Sequence, residues 1–111
     1  MTRFAPLPAP PYYAVIFSSQ RGPDDRGYAE MAAKLEELAG KQPGFLGMET
    51  TRDQQGFGIT VSYWKDKESI HAWKGQATHL LAQKLGKTRW YEHYQLRIAK
   101  VERACGGPEG R

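Results

Sequence analysis

Cysteine is almost missing from this chain. Cys105 is the only one among 111 residues. A single cysteine excludes an intrachain disulfide and a thiolate zinc site. Cys105 lies in a Gly-Gly-Pro tail and reads as an incidental free thiol, because reactivity needs a structured, electropositive setting. Asparagine is wholly absent. Long apolar runs are missing too. The longest, Ala14-Val15-Ile16-Phe17, falls far short of the ~18 residues that a membrane span needs. Pro6, Pro8, Pro10 and Pro11 follow Arg3 closely and leave no room for the apolar region of a secretory leader. The expectation is a cytoplasmic protein with no membrane partner. No metal site is expected either. His71, His79 and His93 are too widely spaced to pair on one helix turn, and no cysteines or paired carboxylates join them. There is no glycine-rich phosphate loop, and Ser18 and Ser19 lack the strand-to-helix turn of an acyl-transfer nucleophile.

What is present is an ordinary globular mixture, 40% apolar and 25% charged, which decides against disorder. The length allows one domain. Net charge is +4. Residues 1–56 hold 6 basic against 7 acidic residues, and residues 57–111 hold 10 against 5, so the excess lies in the second half. Acids are interspersed there and no three basic residues are consecutive. That pattern fits a solvated surface better than a nucleic-acid footprint.

The hydropathy pattern divides the chain into a Pro-rich arm (1–11), a folded domain (12–103) and a Gly/Pro-rich tail (104–111). Tyr12 to Ser19 is aromatic and β-branched and predicts a strand. Tyr28, Met31, Ala32, Leu35, Leu38 and Ala39 recur at helical spacing, with Asp24 or Asp25 as the expected N-cap and Gly40 and Pro43 as the stop. Phe45–Arg52 and Phe57–Trp64 predict two strands joined by a turn at Asp53-Gln54-Gln55-Gly56, where Gly56 is free to take positive φ. Asp66 caps a second helix carrying Ile70, Trp73, Ala77, Leu80 and Leu81. Gly75 weakens its middle, so a break near Gly75-Gln76 is expected. Tyr94 to Arg103 predicts the last strand.

The order β-α-β-β-α-β is the ferredoxin-like α+β arrangement, an antiparallel sheet with two helices on one face. The third strand alternates Phe57, Ile59, Val61 and Tyr63 against Gly58, Thr60, Ser62 and Trp64. The first and last strands are also apolar on both sides. The two helices cover only one face, so the other needs a cover. A second copy of the sheet would supply it, which predicts a homodimer.

The most informative stretch runs from Ser62-Tyr63-Trp64 through Asp66 and Trp73 to His79, then Arg89-Trp90-Tyr91 and the closing strand. Over residues 12–103 it resembles the antibiotic biosynthesis monooxygenase family of dimeric α+β barrels. The resemblance implies a homodimer with sheets face to face and a pocket between sheet and helices. Some members of that family oxidise activated phenols or quinols with O₂ and no metal or flavin, so no cofactor is expected. A haem-degrading branch uses an Asn on the first strand, a Trp on the second helix and a His ten residues later. Trp73 matches, but Gln83 stands at the His position and the chain has no Asn, so haem degradation is not expected.

Oxygenation without a cofactor needs a pocket that holds an electron-rich ring, stabilises its anion and excludes water. Trp64, Trp73 and Trp90 are the candidate walls. His79, with His71 behind it, is the candidate proton acceptor, and Arg89 the candidate anion stabiliser. Each has a plainer role: core packing for the tryptophans, a surface position for the histidines, a solvated ion for Arg89. His79 is six residues past Trp73, about 240° round an ideal helix, so it shares the pocket only if the helix breaks at Gly75-Gln76. The expected function is monooxygenation of a small aromatic, phenol- or quinol-like substrate. A dimeric small-molecule-binding or stress protein without turnover is the alternative. An RNA-recognition-like module also shares the strand order, with Gly56-Phe57-Gly58, Tyr63 and Tyr13 as its marks, but base stacking needs an open sheet face.

Overall fold

A computed structural model describes residues 3–23, 27–84 and 91–108, and the side chains of these except residues 79–84. The elements run β1 (Tyr12–Arg21), α1 (Tyr28–Gly40), β2 (Phe45–Arg52), β3 (Phe57–Trp64), α2 (Lys67–Lys84) and β4 (Tyr91–Val101). The sheet is antiparallel with strand order β2-β3-β1-β4, as the ferredoxin-like reading requires.

Both helices sit on one face. The core there joins Ala39 of α1, Trp64 of β3 and Ile70 of α2, with Tyr13, Val15, Phe45, Met48 and Trp73 packed around them. The apolar stripe expected on α1 is the stripe that turns inward: Met31 and Ala39 are buried, and Tyr28, Ala32, Leu35 and Leu38 half-buried. Its N-cap differs from expectation. Gly27 holds that position at φ 79° and no side chain caps the helix. Asp24 and Asp25 lie outside the described residues. A left-handed residue here suits glycine, which has no Cβ to clash. At the hairpin turn Gly56 takes φ 89°, and Asp53 Oδ1 accepts hydrogen bonds from the Gln55 and Phe57 amides. Asp66 caps α2 as expected, accepting from the Ser69 amide at 2.8 Å. The Ser69 hydroxyl also donates to Asp66, and these bonds hold its carboxyl below the usual range.

Two boundaries correct the sequence reading. α2 is one helix through Gly75 and Gln76, without the expected break. A single glycine costs only about 1 kcal/mol in a helix interior, and an inward face anchored by Ile70 and Trp73 overrides that. β4 begins three residues earlier than expected, because Tyr91 and His93 pair with Arg21 and Gln20 of a longer β1.

The face away from the helices carries Phe57, Ile59, Val61 and Tyr63 of β3 beside Ala14 and Ile16 of β1. Phe57 and Ile59 are exposed there. The Pro-rich arm reaches this same face at its other end. The Ala5 amide donates to Glu49 Oε2 at 3.0 Å, and the Tyr63 hydroxyl donates to Glu49 Oε1 at 2.8 Å. A Cβ on Gly47 would stand 2.9 Å from Ala5 Cβ and 3.2 Å from Leu7, so a glycine in β2 makes room for the arm. Tyr12 is buried and meets Tyr63 edge-on.

Burial, aided by the bond to Glu49, pushes the Tyr63 phenol up to about 12. Because the folded value is raised, its contribution to stability is complete below the unfolded value near 10 and is lost as pH rises from about 10 to 12. The alkaline difference titration between the native chain and Tyr63→Phe, followed by phenolate absorbance, should centre near pH 12. A centre near pH 10 would show that Tyr63 does not hold Glu49 under the arm.

Candidate active site

Among the described residues the helices make their main contacts with β2 and β3, and the β4 side of the same face is exposed. β1 presents Val15, Phe17 and Ser19 to that side, and register carries these across to Ile98, Leu96 and Tyr94 of β4. The three β4 residues are 48%, 40% and 57% exposed although they point to the helix side. Three neighbouring apolar residues exposed along one strand form a contiguous patch, and such patches mark interaction or ligand sites. The result is an apolar floor along β1 and β4, whose Val15 packs against the helix-side core that also holds Trp73.

The floor ends in a ring cluster. Phe17 meets Tyr91 at 5.4 Å, edge-on, and Tyr94 at 5.4 Å, tilted. Tyr91 meets Tyr28 of α1 edge-on at 5.7 Å. Behind these rings stands Arg52, the last residue of β2. Its Nη2 donates to Ser19 Oγ at 2.8 Å and to the Tyr28 hydroxyl at 3.0 Å. Its Nη1 donates to the Ser19 carbonyl at 3.2 Å and to the Gly56 carbonyl. Its guanidinium also lies 5.4 Å from the Tyr28 ring centre, and that of Arg21 lies 4.7 Å from it. Burial, then the hydrogen bond to Tyr28, push the pKa of the Tyr91 phenol up and hold it protonated, and the two arginines oppose that rise.

The residues singled out from sequence fall in several places. Trp64 is fully buried, stacks on Trp73 at 6.1 Å, and donates its indole N–H to Ser62 Oγ at 2.9 Å. It is part of the core beneath Trp73 and has no exposed edge. Trp73 is half-buried and faces the sheet. His71 is exposed on α2. His79 stands on the α2 backbone, and its side chain, like all of Arg89 and Trp90, lies outside the described residues. Tyr13 packs into the helix-side core with Trp64, so the strand aromatic invoked for RNA stacking is not on the open face. Among the described residues no three metal-ligating side chains are grouped, and no helix is long and apolar enough to cross a membrane. An open recess lined by Arg103, Cys105, Gly106 and Gly107 lies in the tail.

Tyr28, Arg52, Tyr91, Ser19 and the β4 row were not found from sequence. One signal was present: Gly58, inside a strand otherwise rich in large residues, marks a close approach. A Cβ there would stand 2.6 Å from the Arg52 guanidinium carbon.

Comparison with known proteins agrees with this architecture. The sequence model of the antibiotic biosynthesis monooxygenase family matches residues 11–85. The uncharacterized protein YqjZ of Bacillus subtilis is 50% identical over 96 residues, covering 86% of this chain and 84% of that protein. A jasmonate monooxygenase of Pyricularia oryzae is 31% identical over 94 residues, covering 80% of this chain but only 43% of that larger protein. Among solved structures, SnoaB, a cofactor-independent oxygenase from Streptomyces nogalater, superposes with a TM-score of 0.67 at 11% identity, over 86% of this chain and 97% of that one. At that identity the likeness is one of fold. The family match, which spans more than half of the chain, shows that it belongs to the antibiotic biosynthesis monooxygenase family.

Proposed function

We propose that the chain is a cofactor-independent monooxygenase for a small aromatic, phenol- or quinol-like substrate, working as a homodimer in the cytoplasm. The observation that carries this reading is the apolar row Tyr94, Leu96 and Ile98, turned to the helix side yet uncovered. A flat apolar molecule laid on that row covers apolar surface, and this contributes about 25 cal/mol for each Å² taken out of water. Family membership makes oxygen chemistry the natural use of such a pocket.

The chemistry asks little of the protein. An anthrone, for example, loses a ring-activated C–H proton to give a carbanion conjugated with its oxygen. That anion passes one electron to O₂, the radical and superoxide combine to a peroxide, and loss of water leaves a quinone. One oxygen atom enters the product and the other leaves in water. The protein's tasks are to hold the ring, keep water out and favour the anion. In this proposal Trp73 walls the pocket over Trp64, with Trp90 as a further wall. Arg89 steadies the anion. The proton acceptors expected from sequence, His71 and His79, stand about 200° and 240° round the unbroken α2 from Trp73, so this proposal requires neither of them as the base.

Oxygen uptake with an anthrone, by chain stripped of metal and flavin, tests the reading. Uptake above the protein-free rate is expected. Tight binding of the anthrone with no uptake would favour the binding-protein alternative. The unbroken α2 turns position 79 about 240° from position 73. Uptake by His79→Ala is therefore expected within a few-fold of the native rate. A fall of about 10²–10⁴ would instead identify His79 as the base.

The homodimer rests on Phe57 and Ile59, which remain exposed on the far face beside the end reached by the arm. Sedimentation at micromolar concentration should give twice the chain mass of 12.5 kDa. A monomer would remove the second sheet from the proposal.

A further inference from the structure

We infer that the Tyr91–Tyr28–Arg52 end of the floor selects ligands carrying one anionic oxygen, a carboxylate or a phenolate, on an aromatic body. The inference rests on the reading of the floor as a ligand pocket and adds the chemistry recognised at one end of it.

Three observations converge. First, Arg52 is a half-buried cation, and among the described residues no carboxylate pairs with it. Among these residues its charge is answered by neutral acceptors alone, so its positive field favours a nearby anion. Second, the guanidinium is held in a built cradle. Gly58 leaves the space, and Ser19, buried at 1% exposure, receives Arg52 through both its hydroxyl and its carbonyl. Four N–H directions are committed to protein acceptors, so Arg52 acts through Tyr28 and is a positioning residue. Third, the Tyr91 hydroxyl donates to Tyr28 at 3.4 Å, a long bond for two hydroxyls. Its proton is available to a better acceptor. An anionic oxygen at the Tyr91 end of the floor takes that proton in a short, charge-assisted bond, inside the positive field of Arg52. The aromatic body then lies along Phe17 and Leu96.

A neutral isostere makes the same apolar contacts and loses the charge-assisted bond. A hydrogen bond to a charged group contributes about 1.5–3 kcal/mol, so discrimination of about tenfold or more is expected. The test is titration of the full chain at neutral pH with 2-naphthoate and with neutral 2-naphthamide, followed calorimetrically. A third arm uses 2-naphthol below and above its own ionisation, which separates carboxylate from phenolate as the preferred oxyanion. Naphthoate should bind about tenfold tighter than naphthamide. Tyr91→Phe should abolish the preference and leave naphthamide affinity within about twofold, since only the hydroxyl is removed. Gly58→Ala should do the same while keeping the arginine, because the new methyl displaces the guanidinium from its cradle. If that variant does not fold, Tyr91→Phe carries the test alone. Equal affinity of the two naphthyl probes for the native chain would overturn the inference and leave the pocket intact. A preference that survives both variants would also overturn it, assigning the selectivity to other cations. Binding of neither probe would overturn it together with the pocket reading.

Discussion

Trp64→Ala should lower the stability of the domain by about 3–5 kcal/mol, the usual cost of removing a buried aromatic from a core. The whole stability of a domain this size is about 5–15 kcal/mol, so the loss takes a large share of it. The expected fall in Tm is about 12–20 °C. The size of the effect follows from position. Trp64 has no exposed surface, packs edge-on with Phe45 at 5.3 Å and stacks on Trp73, so its loss opens a cavity between β2, β3 and α2. Its indole partner Ser62, buried at 7% exposure, is left without that donor. Chemical denaturation would measure it. A loss under about 1 kcal/mol would mean that Trp64 is not in a close-packed core.

Leu96→Asp should have the opposite profile. Leu96 is 40% exposed, so the folded chain gives up little by carrying a carboxylate there, and Tm should stay within a few degrees. Binding of an aromatic ligand should fall by about a hundredfold or more, because the ligand would bury that charge against an apolar ring. Calorimetric titration with a neutral aromatic probe reads the binding, and thermal denaturation reads the fold. Unchanged affinity would remove the β4 row from the pocket.

These two residues also mark what a sequence can disclose. Trp64 ends a strand whose alternation is plain, and the bounds Phe57–Trp64 follow from composition and the turn at Gly56 alone. The inward face of α1 and the Asp66 cap are equally local: helical spacing and an acceptor three residues before Ser69 suffice. Leu96 is different. Its alternation assigns it a face, but whether that face is covered depends on where α1 and α2 come to rest, a tertiary outcome. The cluster around Arg52 is less legible still. It joins residues separated by 33 positions (Ser19) and 24 positions (Tyr28), and links Tyr28 to Tyr91 across 63. Only strand register brings these together. The expected break at Gly75 fails for a related reason, since the packing of Ile70 and Trp73 against the sheet outweighs intrinsic propensity there.

The central claim is that this pocket directs O₂ onto a bound aromatic molecule. Its most direct test is a single reaction of metal- and flavin-free chain with an anthrone under isotopically heavy O₂, with the quinone product read by mass spectrometry. The account predicts one heavy oxygen atom in each quinone, formed at a rate far above that of the protein-free mixture and lost in Leu96→Asp. A product rate unchanged by that substitution, or equal to the protein-free rate, would contradict it.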